Sequence, residues 1–107
     1  MPSLDAIVCA ASNAGTSDVL IAPTVPVRFR IDGSLEDATS DILLPEDTEE
    51  LAIEACGAEI EKVHRGIEVD LATTFSNGVR CRLNIYSSMG HCCIALRLLA
   101  KIGRAHV

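Results

Sequence analysis

The segment from Val79 to Tyr86, VRCRLNIY, alternates apolar and polar side chains along its length. Such period-two alternation is typical of a β-strand with one face against a hydrophobic core and the other toward solvent. The apolar residues occupy every second position from Val79, and the polar residues between them include Arg80 and Arg82. The pattern therefore predicts a half-buried strand that presents two arginines on its solvent face.

A second apolar stretch, 67–75, precedes this strand and is joined to it by three residues that end at Gly78. A two-residue turn would place Phe75 opposite Arg80 and bring apolar side chains onto the arginine face. A three-residue turn places Phe75 opposite Val79 and keeps both apolar sets on one face. Because a slip of one residue inverts every side chain, we predict the three-residue turn, with Gly78 in a left-handed conformation. The same register pairs Leu71 with Leu83 and Val69 with Ile85, and it places Glu68, Asp70, Ala72 and Thr74 on the arginine face.

The remaining sequence predicts helices and strands in alternating groups. Apolar spacing and turn residues predict a helix over 4–13, strands over 17–23, 27–31 and 91–99, a helix from Pro45 to the break at Gly57, and a short helix over 58–65. The segment 34–43 is either a short strand or a loop. The apolar stripe predicted for the helix after Pro45 consists of Leu44, Thr48, Leu51, Ala52 and Ala55. This order predicts a small α+β domain, with a mixed or antiparallel sheet and helices packed on one side.

Composition excludes several classes of partner. The chain has 107 residues and a net charge of −6, which argues against non-specific binding to nucleic acid or to an anionic membrane surface. No apolar run approaches the length of a membrane span, and the N-terminus lacks the basic start of a secretory signal. We therefore expect a cytoplasmic location. The five cysteines are odd in number and form no CxxC pair, so we expect reduced thiols in an aliphatic core.

The arginines are the main candidates for chemistry. The strand VRFRI carries Arg28 and Arg30 on one face, and Arg97 lies on the last strand. Residues two apart on a strand are roughly 7 Å apart, so two such guanidiniums can grip a polyphosphate or two carboxylates. The alternative is pairing with Glu68 and Asp70, or plain solvation. Spacing alone favours this alternative.

Other motifs give no support for a metal or for an autonomous active site. In His91-Cys92-Cys93, adjacent strand residues face opposite ways, so only His91 and Cys93 could share an ion, and two ligands do not make a zinc site. His64 lies on a polar helix and is expected to be solvated. The acidic stretch before it is interpreted as a solvated helix face in preference to a cation site, because no ligand loop such as DxDxDG occurs. No GxxxxGK[ST], GxSxG or HExxH motif occurs, so we predict no metal and no catalysis by this segment alone.

Five stretches, in order, resemble one family, the PilT-type ATPases of twitching motility and of type II and type IV secretion. GTSDVLIAP (15–23) resembles their "ASDLHL" strand, and VPVRFRIDGSL (25–35) resembles their "PPxxRVDGxL" stretch. LLPEDTEEL (43–51) resembles the start of their "LTPEDVEEL" helix. IEVDLATTFSNGVRCRLNIYSSMG (67–90) resembles their "ELDFSYxxPGxxRFRVNxFxQRG" hairpin, and CCIALRLL (92–99) resembles their "xxLVLRxI" strand. The resemblance covers residues 3–99. Each motif alone is loose, and the assignment depends on their order and spacing.

The resemblance implies a small PAS-like N-terminal domain, linked to a RecA-like ATPase domain that would hold ATP and Mg²⁺. It also implies a homo-hexamer in which this domain packs on the ATPase domain of the neighbouring subunit, at a pilus or secretion platform on the inner face of the inner membrane. Arg80 and Arg82 match the arginines of "RFRVN", which approach the nucleotide phosphates. Arg97 matches the arginine of the last strand, and Arg30 that of "RVDG". With the family in view, a phosphate or interface role for Arg80 and Arg82 is favoured over solvation.

The sequence departs from the family pattern at several positions. Leu20 stands in place of the His of "DLHL", Leu44 in place of the Thr of "LTPED", and Met89 in place of the Arg of "QRG". These differences suggest a divergent secretion or conjugation branch. Residues 102–107, IGRAHV, match one translated frame of a sequencing adapter, so we expect a domain over 1–101, truncated before the ATPase domain, and an artefactual tail. The alternative function is a standalone PAS-like ligand-sensing or protein-interaction module.

Overall fold

The computed structural model describes residues 1–101 and, for side chains, residues 1–99. The tail expected over 102–107 lies outside the described residues. The elements in chain order are α1 (Leu4–Asn13), β1 (Asp18–Ile21), β2 (Arg28–Ile31), β3 (Ser34–Asp37), α2 (Pro45–Cys56), a 3₁₀ turn (Gly57–Glu59), α3 (Ile60–His64), β4 (Val69–Thr74), β5 (Val79–Ser88) and β6 (His91–Lys101).

The strands form one six-stranded sheet in the order β3-β2-β1-β6-β5-β4. Every strand pair within the described residues is antiparallel, which settles the choice between a mixed and an antiparallel sheet. The segment that could be strand or loop supplies the edge strand β3, which follows a turn with positive φ at Asp32 and Gly33. The α+β class is confirmed, and the arrangement is that of a small PAS-like domain.

The predicted register of the β4–β5 hairpin is confirmed. The backbone N–H of Phe75 donates to the carbonyl of Val79 at 2.9 Å, and Gly78 is left-handed with φ +84°. Helix α1 holds the turn as well, because the Asp5 carboxylate accepts hydrogen bonds from the backbone N–H of Ser76, at 2.9 Å, and from its hydroxyl. The local sequence and a distant helix therefore specify the same turn. The observed partners include Leu71 with Leu83 and Val69 with Ile85.

The helices cover one face of the sheet with short amphipathic stripes. Ser3 caps α1, since its hydroxyl accepts a hydrogen bond from the Ala6 N–H at 3.1 Å. The stripe predicted for α2 is wrong at its first member, because Leu44 is the extended N-cap residue and is exposed, while Leu43 is buried. The Asp47 carboxylate accepts from the Leu44 N–H at 2.9 Å, so an acidic side chain in the first turn stabilises this helix end.

The space between helices and sheet is filled by aliphatic side chains, as the scarcity of aromatic residues predicts. Phe29 is the one aromatic residue among the buried core residues that the structure describes. No helix within residues 1–101 has both the length and the apolar character needed to cross a bilayer. The largest fully buried side chains are Leu4, Ile21, Leu51, Leu83, Ile85, Ile94 and Leu96.

Candidate functional site

The strand register aligns charged residues in one row across the face of the sheet that the helices leave open. Asp18 on β1 pairs with Arg30 on β2 and with Arg97 on β6, and Arg97 pairs in turn with Arg82 on β5. We call Arg30, Asp18, Arg97 and Arg82 the arginine row. Directly opposite residues on neighbouring strands share a face, so three guanidiniums and one carboxylate lie side by side.

Asp18 is the only anion in this row and is shared by two of its arginines. The Nε of Arg97 donates to Asp18 Oδ1 at 3.1 Å, and the Nε of Arg30 lies 3.8 Å from Asp18 Oδ2. The Ser17 hydroxyl also donates to Oδ2, at 2.8 Å. Partial burial opposes ionisation of Asp18, but the hydrogen bonds from Ser17 and Arg97 and the two positive charges outweigh it and lower the pKa of the carboxyl. Asp18 is therefore a fixed negative charge at neutral pH.

Arg82 has no carboxylate within ion-pair distance among the described side chains. Its cross-strand neighbours are Arg97 on one side and Ala72 on the other. The alternative interpretation of the sequence pairs the arginines with Glu68 and Asp70. Instead, these two carboxylates accept hydrogen bonds from the Asn84 amide at 2.9 and 3.0 Å. The exposed Arg82 guanidinium is consequently available to an anion from outside the described chain.

Arg80 lies on the same face, two residues before Arg82 and roughly 7 Å away. It is exposed, and its Nη1 makes a long contact of 3.4 Å with the Thr74 hydroxyl. Arg28, by contrast, donates from Nε to Asp37 at 3.2 Å. Of the four arginines predicted as site residues, three lie in the arginine row and Arg80 extends it along β5.

A shallow depression of about 320 Å³ lies over the arginine row. Arg82 and Arg97 line it together with Asp18 and Asp70, and its outer side is open to solvent. Its volume falls at the lower end of the range for small-molecule sites, but such sites usually enclose most of their ligand. The depression can therefore supply one wall of an anion site, and a second surface would have to supply the other.

A second polar cluster lies on the opposite, helix-covered face, where sequence reasoning did not place one. The Cys92 thiol donates to Glu49 Oε1 at 3.2 Å, and His64 Nε2 lies 2.8 Å from Glu49 Oε2. The hydrogen bond from Cys92 lowers the pKa of Glu49, with a further contribution from His64 that partial burial opposes. Burial and the same carboxylate raise the pKa of Cys92 to about 12. No sequence spacing could have found this cluster, because its members come from α2, α3 and β6.

The architecture defines a class, namely a small PAS-like domain, and its open sheet face carries the arginine row. Solved structures of known proteins share this architecture. The crystal structure of the pilus retraction motor PilT with bound ADP matches with a TM-score of 0.83 and 27% identity, over 94% of this chain and 30% of that one. The ATPase DotB of Legionella pneumophila matches with a TM-score of 0.80 and 23% identity, over 91% of this chain and 28% of that one. DotB of Yersinia pseudotuberculosis matches with a TM-score of 0.69 and 19% identity, over 90% and 29% of the two chains.

The chain has the fold of the N-terminal domain of the PilT-type ATPases, which confirms the resemblance read from its motifs. The two DotB structures, at below 25% identity, support the fold alone. No protein-family model matches the chain, and no curated protein matches it. The chain spans less than a third of the length of these three structures. The activity of a whole protein of this kind is therefore a proposal for the present chain.

Proposed function

We propose that this chain is the subunit-interface and nucleotide-sensing domain of a hexameric ATPase motor that drives type IV pilus retraction or a related secretion or conjugation system. In this proposal a RecA-like domain of the neighbouring subunit binds ATP and Mg²⁺, and the arginine-bearing sheet face packs against it. The parent motor is cytoplasmic and works at the inner face of the inner membrane. The similarity to PilT and the open arginine face support the proposal.

The observation that carries the proposal is the uncompensated charge at Arg82. Like charges directly opposite each other in a sheet are unfavourable, yet Arg82 faces Arg97 across the β5–β6 pair. Asp18 forms ion pairs with Arg97 and Arg30, whereas no described carboxylate lies within 4.0 Å of the Arg82 guanidinium. A phosphate group from outside would remove this repulsion and supply oxygen acceptors for both guanidiniums.

Arginines placed in this way act on phosphoryl transfer by electrostatics. Charge spreads over the transferred phosphoryl group in the transition state, and a guanidinium fixed beside it stabilises that state more than the ground state. Because the arginines would belong to one subunit and the nucleotide to another, loss of the γ-phosphate would weaken the contact between subunits. Nucleotide occupancy would then be coupled to rotation of this domain.

The alternative, a standalone PAS-like sensor, requires an internal ligand pocket between sheet and helices. In the structure this space is occupied by close-packed aliphatic residues such as Leu51, Leu83 and Ile94. A small pocket between α1 and the sheet is lined by residues that include Ile7 and Phe29, but its volume of about 140 Å³ is below the roughly 300 Å³ at which small-molecule sites begin. The packing therefore favours the interface function.

The test is ATP turnover by the parent protein, expressed from the genomic reading frame that contains this domain. Arg82→Ala and Arg80→Ala should each lower turnover by about 10²–10³-fold, the usual cost of removing a charge-stabilising donor from the transition state. Arg28→Ala is the matched control, because Arg28 lies on the same face but pairs with Asp37. It should leave turnover within about twofold of wild type, since an exposed ion pair contributes little. Unchanged turnover in the Arg80 and Arg82 variants would refute the mechanism.

A further inference from the structure

We propose that Glu49, His64 and Cys92 form a binding site for a transition-metal ion, with Zn²⁺ as the expected occupant. One ligand atom from each residue lies within 4.8 Å of the other two. The three residues belong to α2, α3 and β6, so a shared ion would fasten both helices to the inner face of the sheet. The site is on the face opposite the arginine row and is independent of the function proposed above.

The donor set matches the chemistry of zinc. Thiolate, imidazole and carboxylate are its common protein ligands, and bond lengths of about 2.0–2.3 Å place tetrahedral donors roughly 3.3–3.6 Å apart. His64 lies 2.8 Å from Oε2 of Glu49 and Cys92 lies 3.2 Å from Oε1, so each of these separations would widen by about half an ångström or less. All donor atoms lie within 4.8 Å of one another, so a pair at the long end of that range would close by about 1 Å around a shared ion. Cys92 is buried while His64 is exposed, so the cluster extends from the core to the surface.

A carboxylate lies near the second ring nitrogen of His64. While Nε2 points at Glu49, Nδ1 lies 3.9 Å from a carboxylate oxygen of Glu61, which is too long for a hydrogen bond. Ligating histidines commonly donate from their second nitrogen to a carboxylate, which fixes the tautomer and the ring orientation. Glu61 is placed to take this role if the exposed ring moves closer on metal binding. It is one turn from His64 on the same short helix.

Metal binding would replace two protein hydrogen bonds with three coordinate bonds. The Cys92 S–H bond breaks, its sulfur bonds to the metal as thiolate, and the proton passes to solvent. Glu49 binds as the carboxylate it already is. His64 binds through Nε2 as the neutral imidazole with its proton on Nδ1. The proton that Nε2 donates to Glu49 in the absence of metal is therefore released to solvent, while Nδ1 carries the remaining ring proton. Without metal, the same three groups form a short hydrogen-bonded chain in which Glu49 accepts from both neighbours. The experiment must separate these two arrangements.

The experiment is titration of the reduced 107-residue chain with Co²⁺, a spectroscopic substitute for Zn²⁺, followed by displacement with Zn²⁺. We expect one equivalent to bind and to produce a thiolate-to-cobalt charge-transfer band that Zn²⁺ abolishes. Cys92→Ser should eliminate the band. Glu49→Gln and His64→Gln should weaken binding by about 10- to 100-fold or more, the range already seen for outer-shell losses.

The chain supplies matched controls for both ligand types. Cys93 is the adjacent residue on β6, is as buried as Cys92, and lies on the other face of the strand. His91 is an exposed histidine outside the cluster. Cys93→Ser and His91→Gln should bind cobalt as wild type does. His64→Gln also guards against a folding artefact, because an exposed side chain can be changed without unfolding the core. Absence of the band in wild type, its persistence in Cys92→Ser, or equal loss in Cys93→Ser would overturn the proposal.

Discussion

Neutralising Arg82 should stabilise the isolated domain even though the proposed function requires its charge. The guanidinium faces Arg97 across the β5–β6 pair and has no described carboxylate partner, so the folded state bears a repulsion that the unfolded chain does not. Replacing Arg82 with Gln removes the charge while keeping a polar side chain on the strand. The free energy of unfolding should therefore rise in Arg82→Gln, opposite to the usual effect of a substitution.

The size of the gain follows from the geometry. Directly opposite side chains on paired strands have Cβ atoms about 5 Å apart, and two unit charges at that separation in water repel by about 0.8 kcal/mol. Asp18 offsets part of this repulsion through its contact with Arg97. A gain of about 0.3–0.6 kcal/mol remains, within the range measured for cross-strand pairs. In a domain of this size it corresponds to a rise in Tm of about 1–5 °C. Arg82→Glu, which could pair with Arg97, should give a larger rise.

The assay is thermal unfolding followed by circular dichroism at low salt and in 1 M NaCl. At 1 M the screening length falls to about 3 Å, so the advantage of Arg82→Gln should nearly disappear. Arg80→Gln is the control, because its cross-strand partner is the neutral Thr74, and its Tm should stay near the wild-type value. A lower Tm for Arg82→Gln, or a gain that is equal at both salt concentrations, would refute the electrostatic reasoning.

Two further predictions concern the stability of the fold. Leu83→Ala should lower the free energy of unfolding by about 2–5 kcal/mol, because Leu83 is 2% exposed at the centre of the core. Leu35→Ala on the edge strand should change the free energy of unfolding by less than about 0.5 kcal/mol. Urea denaturation measures both values. Because the pKa of Asp18 is lowered on folding, its contribution to stability is present above its ordinary pKa of about 3.8 and is lost as pH falls through the lower folded value. Asp18→Asn should therefore be less stable than wild type at pH 7, and the gap should close in acid; a constant gap across the titration would contradict this sign.

The β4–β5 hairpin could be predicted in detail because two local constraints agree. The alternation of apolar residues on both strands predicts a three-residue turn, and the position of Gly78 predicts the same turn. From this register the arginines of β5 had to lie on the face away from the core. The register of the hairpin could be predicted because it depends only on residues within about twenty positions of one another.

The arginine row could not be predicted in the same way. It depends on β1 pairing with β6, which brings Asp18 beside Arg97 from the other end of the chain. Parity places Arg82 on the correct face, but it does not say which residue of a distant strand lies opposite. The carboxylates nearest in sequence, Glu68 and Asp70, were proposed as partners, but they bind Asn84 instead.

The Glu49–His64–Cys92 cluster shows the same limit on the other face. The rule that adjacent strand residues point to opposite sides correctly separates Cys92 from Cys93. Partners for the cysteines were sought on the same strand, whereas the structure supplies them from two helices. His64, expected to be solvated, is exposed but contacts Glu49. The prediction of no metal considered the strand, the acidic stretch and His64 separately, and the cobalt titration will test it.

The composition of the arginine row itself argues against a purely structural role for that face. If stability alone had shaped it, a carboxylate opposite Arg82 would remove the repulsion from Arg97, and the β4 position facing Arg82 is available for one. Ala72 occupies that position, while the neighbouring Asp70 is engaged by Asn84. The sheet therefore keeps Arg82 without a directly opposite carboxylate, although the fold has a position for one. An external anion is the simplest physical reason for this charge to remain, and nucleotide phosphate is the anion that a neighbouring ATPase domain would bring.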